Sequence, residues 1–165
     1  MNKLITAFAT AACFAASSVS AAGIERMTSP AGSPSPILRG ALVPAGSDLL
    51  FLSGQLAVPI VPGKTDSIEA YGDTKTQTIS TLSKIKALLA EKGFTLSDVF
   101  KMTVFVVADP KLGKMDFMGM NEGFKQFFGT AENPNTVARS AVQVAALAGP
   151  NFLVEIEVIA AKAKK

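Results

Sequence analysis

Three charged residues stand inside runs that otherwise read as apolar strands: Arg139 in VARSAV (137–142), and Glu155 and Glu157 in LVEIEVIA (153–160). An arginine keeps its charge at any ordinary pH and is almost never fully buried without a partner, so some group must face that guanidinium. Arg139 and Glu155 can form a structural ion pair on a sheet face. Alternatively, both can line a surface that a second subunit completes. The residues alone leave both readings open.

Composition restricts what chemistry such a site could run. The chain has no His and no Trp, and its one cysteine, Cys13, falls in the first 21 residues. Those residues have the layout of a cleavable secretory signal: the positive MNK, the apolar LITAFATAACFAASSV, and small residues at Val19-Ser20-Ala21 before Ala22. The expectation is therefore a signal peptide at 1–21, a periplasmic or secreted protein, and no membrane association after cleavage. A mature chain would contain neither imidazole nor thiol. That excludes a zinc site of the usual nitrogen and sulfur kind, and with it Ser-His-Asp and Cys-His nucleophilic machinery. Catalysis would have to run on carboxylates, hydroxyls, Lys, Arg, backbone groups and water. Loss of Lys3 leaves 15 basic against 13 acidic residues, a balance that gives no sign of nucleic-acid binding.

The elements that would position these residues follow from periodicity. Residues 22–36 are rich in Gly, Pro and Ser and read as an irregular arm. ILRGALVPAGSDLLFLSGQ (37–55) reads as a β-hairpin turning at PAGSD. From Asp73 the apolar spacing becomes helical, with Ile79, Leu82, Ile85, Leu88 and Leu89 on one stripe and Gly93 as the stop. DVFKMTVFVVADP (98–110) reads as a strand. Phe117, Met120, Phe124, Phe127 and Phe128 mark a second helix ending near Gly129, their spacing explained by core packing. TVARSAVQVAAL and NFLVEIEVIAA then read as antiparallel neighbours joined through AGPN. The order ββαβαββ predicts a two-layer α+β domain over 37–161, two helices covering one face of a mixed sheet, followed by a basic tail at 162–165.

Alternation in the last strand puts Phe152, Val154, Ile156, Val158 and Ala160 beneath the helices, and Leu153, Glu155, Glu157 and Ile159 on the outer face. The preceding strand alternates Arg139, Ala141 and Gln143 with Val142 and Val144. Arg139 is expected to share the outer face with Glu155. Large aliphatics among the charges suggest that this face meets another subunit.

Five strings, LLFLSGQLAV, LSDVFKMTVFVVAD, MNEGFKQFF, ARSAVQVAAL and LVEIEVIA, resemble in order and spacing the Rid family of reactive-intermediate deaminases, whose best-known branch is RidA. The resemblance implies a chorismate-mutase-like fold, a homotrimer with clefts between subunits, and cofactor-free hydrolysis of small 2-imino or 2-enamino acids to 2-keto acids and ammonia. It implies that Arg139 binds the substrate carboxylate and that Glu155 positions or activates water. By the same resemblance Ser53 and Gly54 line the cleft, and Asn121 stands near its wall. Ile37 occupies the place of a RidA tyrosine, Ala141 that of a frequent cysteine, and Val137 that of a proline, which implies a more apolar cleft. Two other readings are a trimeric small-carboxylate-binding protein without turnover, and a ribonuclease.

Overall fold

The computed structural model describes residues 23–33 and 35–164, so the signal-peptide expectation for 1–21 lies outside the described residues. The domain has two layers. Its main sheet contains β3 (Asp48–Leu56), β4 (Val99–Val107), β5 (Ala138–Val144) and β6 (Val154–Lys162), in the order β3-β6-β4-β5. The long helix α1 (Thr74–Glu91) and the short α2 (Phe117–Phe124) cover one face. Leu82, Ile85 and Leu89 of α1 and Met120 and Phe124 of α2 bury against Met102, Val104, Val106, Val154, Ile156 and Val158 of the sheet.

Both helices begin on an aspartate that satisfies an orphan N–H of the first turn. Asp73 accepts from Thr76 N at 2.8 Å and Asp116 from Gly119 N at 2.9 Å. Gly93, at φ 72°, closes α1 in the left-handed conformation that a side chain would oppose. The stripe expected on α1 holds in its second half, whereas Thr74, Gln77, Thr78 and Thr81 fill the first half of the buried face. Gln77 is buried because it completes backbone pairing: Nε2 donates to Gly72 O and Asn151 O, and Oε1 accepts from Leu153 N at 2.8 Å. The α1–α2 crossing is tight at Gly123, where a Cβ would lie 2.8 Å from Thr78 Cβ and 3.0 Å from Lys75 O. This contact fixes α2, and α2 carries part of the site described below.

Three features of the connectivity differ from the periodicity reading. β5 pairs with β4 in parallel, Met102 opposite Arg139, and β6 pairs antiparallel with both β3 and β4. β5 and β6 are therefore separated by β4 rather than adjacent: residues 145–153 carry the chain across it, and α2 supplies the crossover that a parallel pair requires. The PAGSD turn forms, with Ser47 N donating to Pro44 O at 3.3 Å, but the strands it joins go to different sheets. β2 (Gly40–Leu42) pairs with β1 (Glu25–Met27), inside the segment expected to be an irregular arm. The tail likewise starts later than 162, because Lys162 ends β6 and its Nζ donates to Gly93 O at 2.7 Å.

Arg26 ties β1 to the domain. Its guanidinium donates to Ser97 O at 2.6 Å, Thr136 O at 2.7 Å and Val99 O at 3.1 Å, the ends of loops entering β4 and β5. Burial pushes its pKa below the ordinary arginine value, partly offset by Asp98. Arg26→Ala strands three carbonyls and is expected to cost about 2 kcal/mol, or roughly 5 °C in Tm for a domain of this size. Thermal unfolding followed by circular dichroism measures it; an unchanged Tm would mean that the arm carries no stability.

Candidate active site

β5 lies at one edge of the sheet, and its register decides where Arg139 points. Arg139 is opposite Met102, which is fully buried beneath the helices, so the arginine also faces the helix layer. α2 is too short to cover that edge completely, which leaves room for a long polar side chain. The guanidinium Cζ stands 4.3 Å from the centroid of the Phe124 ring, and Nη2 donates to Asn121 Oδ1 at 2.5 Å. Nη1 is buried without a hydrogen-bond partner. Desolvation pushes the pKa of Arg139 below its ordinary value, and among the described residues no carboxylate lies within ion-pair distance of it. A buried donor without an acceptor is expensive, which makes Nη1 a natural position for an incoming anion.

Ala141, two residues further along β5, lies on the same face and packs at the edge of the core. Ile37 is brought to the start of β5 by its neighbour: Leu38 N donates to Val137 O at 3.0 Å. Arg139, Asn121, Ala141 and Ile37 thus gather at the β5 edge.

The remaining expected residues gather elsewhere. Glu155 alternates with the buried Val154 and Ile156, so its carboxylate lies on the outer face. Leu52 pairs with Val158 and Gln55 with Ile156, so Ser53 and Gly54 together oppose Glu157 in a β-bulge. The bulge sets Gly54 directly under the Glu155 side chain: a Cβ on Gly54 would lie 2.7 Å from Glu155 Cδ. Only glycine leaves that carboxylate its position. Ser53, Gly54 and Glu155 therefore form a second group, at the β3–β6 side of the sheet.

The expectation that Arg139 and Glu155 share the outer face is corrected by this arrangement. Glu155 is level with Phe105, and Phe105 with Val142, three residues beyond Arg139. Two strand spacings and three residues of rise separate their backbones by roughly 14 Å, on opposite faces. An ion pair within one chain is excluded. Parallel pairing of β5 causes the reversal, since it sets the face of every β5 residue by β4 and not by β6. Phe124 is the contributor missed from sequence. Its helical spacing marked it as core, and nothing in one sequence distinguishes a ring that also carries a cation.

The outer face is apolar for a surface open to water. Phe51 is 65% exposed, Leu49 50% and Val142 43%, and Phe105 and Ile159 lie among them. A patch of this kind is typical of a protein interface.

Comparison with known proteins agrees with this fold. Residues 40–162 match the family model described as Endoribonuclease L-PSP. A RutC family protein of Pyrococcus horikoshii is 39% identical over 129 residues, 78% of this chain and 91% of the relative. The 2-iminobutanoate/2-iminopropanoate deaminase of Escherichia coli K12 is 34% identical over 115 residues, 70% of this chain and 80% of the relative. The crystal structure of E. coli TdcF with bound serine superposes with a TM-score of 0.56 at 34% identity, covering 86% of this chain and 99% of that one. E. coli K12 TdcF carries the name reactive intermediate deaminase and is 37% identical over 139 residues, 84% of this chain and 95% of the relative. With the family model spanning residues 40–162, about three quarters of its length, the chain belongs to the Rid family, the Endoribonuclease L-PSP proteins.

Proposed function

We propose that this protein is an exported deaminase that hydrolyses small 2-imino or 2-enamino acids to 2-keto acids and ammonia, in clefts between the subunits of a homotrimer. The observation that carries the reading is Arg139, whose half-buried guanidinium is held by Phe124 and Asn121, meets no carboxylate, and has Nη1 free of any partner. A carboxylate is the partner that such a group suits, since a guanidinium offers it two N–H donors in a fixed fork. Assembly accounts for the separation of the two groups. Arg139 sits at one edge of the sheet and the Ser53-Gly54 bulge beside Glu155 at the other, so a neighbouring copy can bring its Glu155 group to this chain's Arg139. The apolar outer face supplies surface for that contact.

In such a cleft the substrate carboxylate binds Arg139, and the imine carbon faces a water held by Glu155. As the water oxygen bonds to carbon, Glu155 takes its proton and the C=N electron pair moves to nitrogen. Return of that proton from Glu155 to nitrogen gives a carbinolamine; Glu155 then takes the proton of its hydroxyl and passes it to the amine, so that C=O forms as the C–N bond breaks, releasing ammonia and a 2-keto acid. The enamine form enters after tautomerising to the imine. The names of the relatives support this substrate class, one being a 2-iminobutanoate/2-iminopropanoate deaminase, and the TdcF structure holds an amino acid. Export rests on the N-terminal signal, so an oxidase or dehydrogenase acting on amino acids outside the cytoplasm is the class of reaction that must supply the imine.

The test generates 2-iminobutanoate and 2-iminopropanoate in situ with an amino-acid oxidase and follows their loss. Acceleration over spontaneous hydrolysis is expected, with sedimentation reading a trimer. A wild-type protein that leaves the spontaneous rate unchanged across several imines sinks the enzyme reading; carboxylate binding without turnover would then identify a binding protein.

A further inference from the structure

Phe124 is 1% exposed, and one of its faces stacks on Phe128, with centroids 4.9 Å apart and planes at 14°. Its other face carries the Arg139 guanidinium, Cζ 4.3 Å from the centroid. Phe128 backs the ring, so the ring cannot tilt away from its cation. Asn121, on the same helix one turn earlier, takes Nη2 at 2.5 Å. Two contacts of different kinds thus act on one head group: the ring lies against the guanidinium, and the amide accepts from one of its nitrogens. Nη1 is buried without a partner. A leucine at 124 would fill the core comparably but would desolvate the cation without the compensating attraction of a π face.

We propose that Phe124 is a positioning residue of the carboxylate site: it holds the plane of Arg139 through a cation–π contact, and so keeps Nη1 aligned for the substrate carboxylate. This rests on the reading that Arg139 binds the carboxylate.

The experiment replaces Phe124 alone with 4-fluoro-, 3,5-difluoro- and 3,4,5-trifluorophenylalanine in the full-length protein, nearly isosteric rings whose π face weakens with each fluorine. KM for 2-iminobutanoate is expected to climb stepwise, by roughly ten-fold over the series, while kcat changes less and Tm stays level. In the wild type the Arg139 guanidinium protons, Nε–H among them, should resonate upfield of an unstacked arginine, because Cζ lies 4.3 Å over the ring centroid, and this signal needs no substrate. Phe124→Leu should raise KM and lower Tm together. An active enzyme whose KM is flat across the fluorinated series overturns the positioning role and leaves the deaminase reading standing. An Nε–H resonance at the unstacked position overturns the contact itself. If the wild type neither accelerates imine hydrolysis nor binds 2-oxobutanoate, the carboxylate reading fails and this role fails with it.

Discussion

Arg139→Ala is expected to lower kcat/KM for 2-imino acids by two orders of magnitude or more while leaving Tm unchanged or slightly raised. Truncating the cationic partner of a desolvated carboxylate typically costs 2–5 kcal/mol, or roughly 30- to 4,000-fold at 1.4 kcal/mol per decade. Stability should not follow activity, because among the described residues Arg139 meets no carboxylate and its removal leaves no buried charge unpaired. The Asn121 oxygen loses a donor and the Phe124 ring its cation, while the desolvated Nη1 disappears. Arg139→Lys should recover little, since an ammonium keeps the charge but presents neither a fork to the carboxylate nor a flat cation to Phe124. Initial rates in the coupled oxidase assay, together with thermal unfolding of each variant, measure both effects. Unchanged kcat/KM in Arg139→Ala would remove Arg139 from the binding role.

Glu155→Gln is expected to reduce kcat by 10²- to 10⁴-fold, the usual range for losing a positioned general base, with KM close to wild type. The amide keeps the shape and some of the hydrogen bonding but cannot take a proton from water. Gly54→Ala tests the same group from beneath. Its Cβ would overlap the Glu155 carboxylate, so the carboxylate must swing away from the bulge or the bulge must open. Either movement displaces the base, and a large part of the Glu155→Gln loss should appear with the carboxylate still present. If both variants retain wild-type kcat, water activation belongs to another group. If Gly54→Ala alone is active, Glu155 works from a position other than the one above Gly54.

Much of the architecture was legible along the chain because it is local. The Asp73 cap, the Leu82, Ile85 and Leu89 stripe and the stop at Gly93 mark α1 with no knowledge of its neighbours. Alternation in β6 assigns Val154, Ile156 and Val158 to the core for the same reason. Where local signals were absent the reading failed. Nothing in Glu25-Arg26-Met27 announces a strand, because its pairing with Gly40–Leu42 and the three carbonyls that receive Arg26 are distant in sequence. The phenylalanine spacing ran on to Phe128, yet α2 ends at Phe124, and Phe128 reaches the core from the following turn.

For the site, the sequence by itself determined the inventory: a chain whose residues beyond position 21 include no thiol and no imidazole, an arginine and two glutamates set in apolar strands, and an SG pair upstream. Those are properties of residue type, and type is what a sequence records. Tertiary structure decided where they stand. Parallel pairing of β5 with β4 turned Arg139 toward α2, onto Phe124 and Asn121, while antiparallel β6 held Glu155 over the Gly54 bulge on the opposite face. Strand direction and order depend on contacts between segments far apart in the chain. A short link such as AGPN fits an antiparallel hairpin or a passage across a third strand equally well, and the packing of α2 chooses between them.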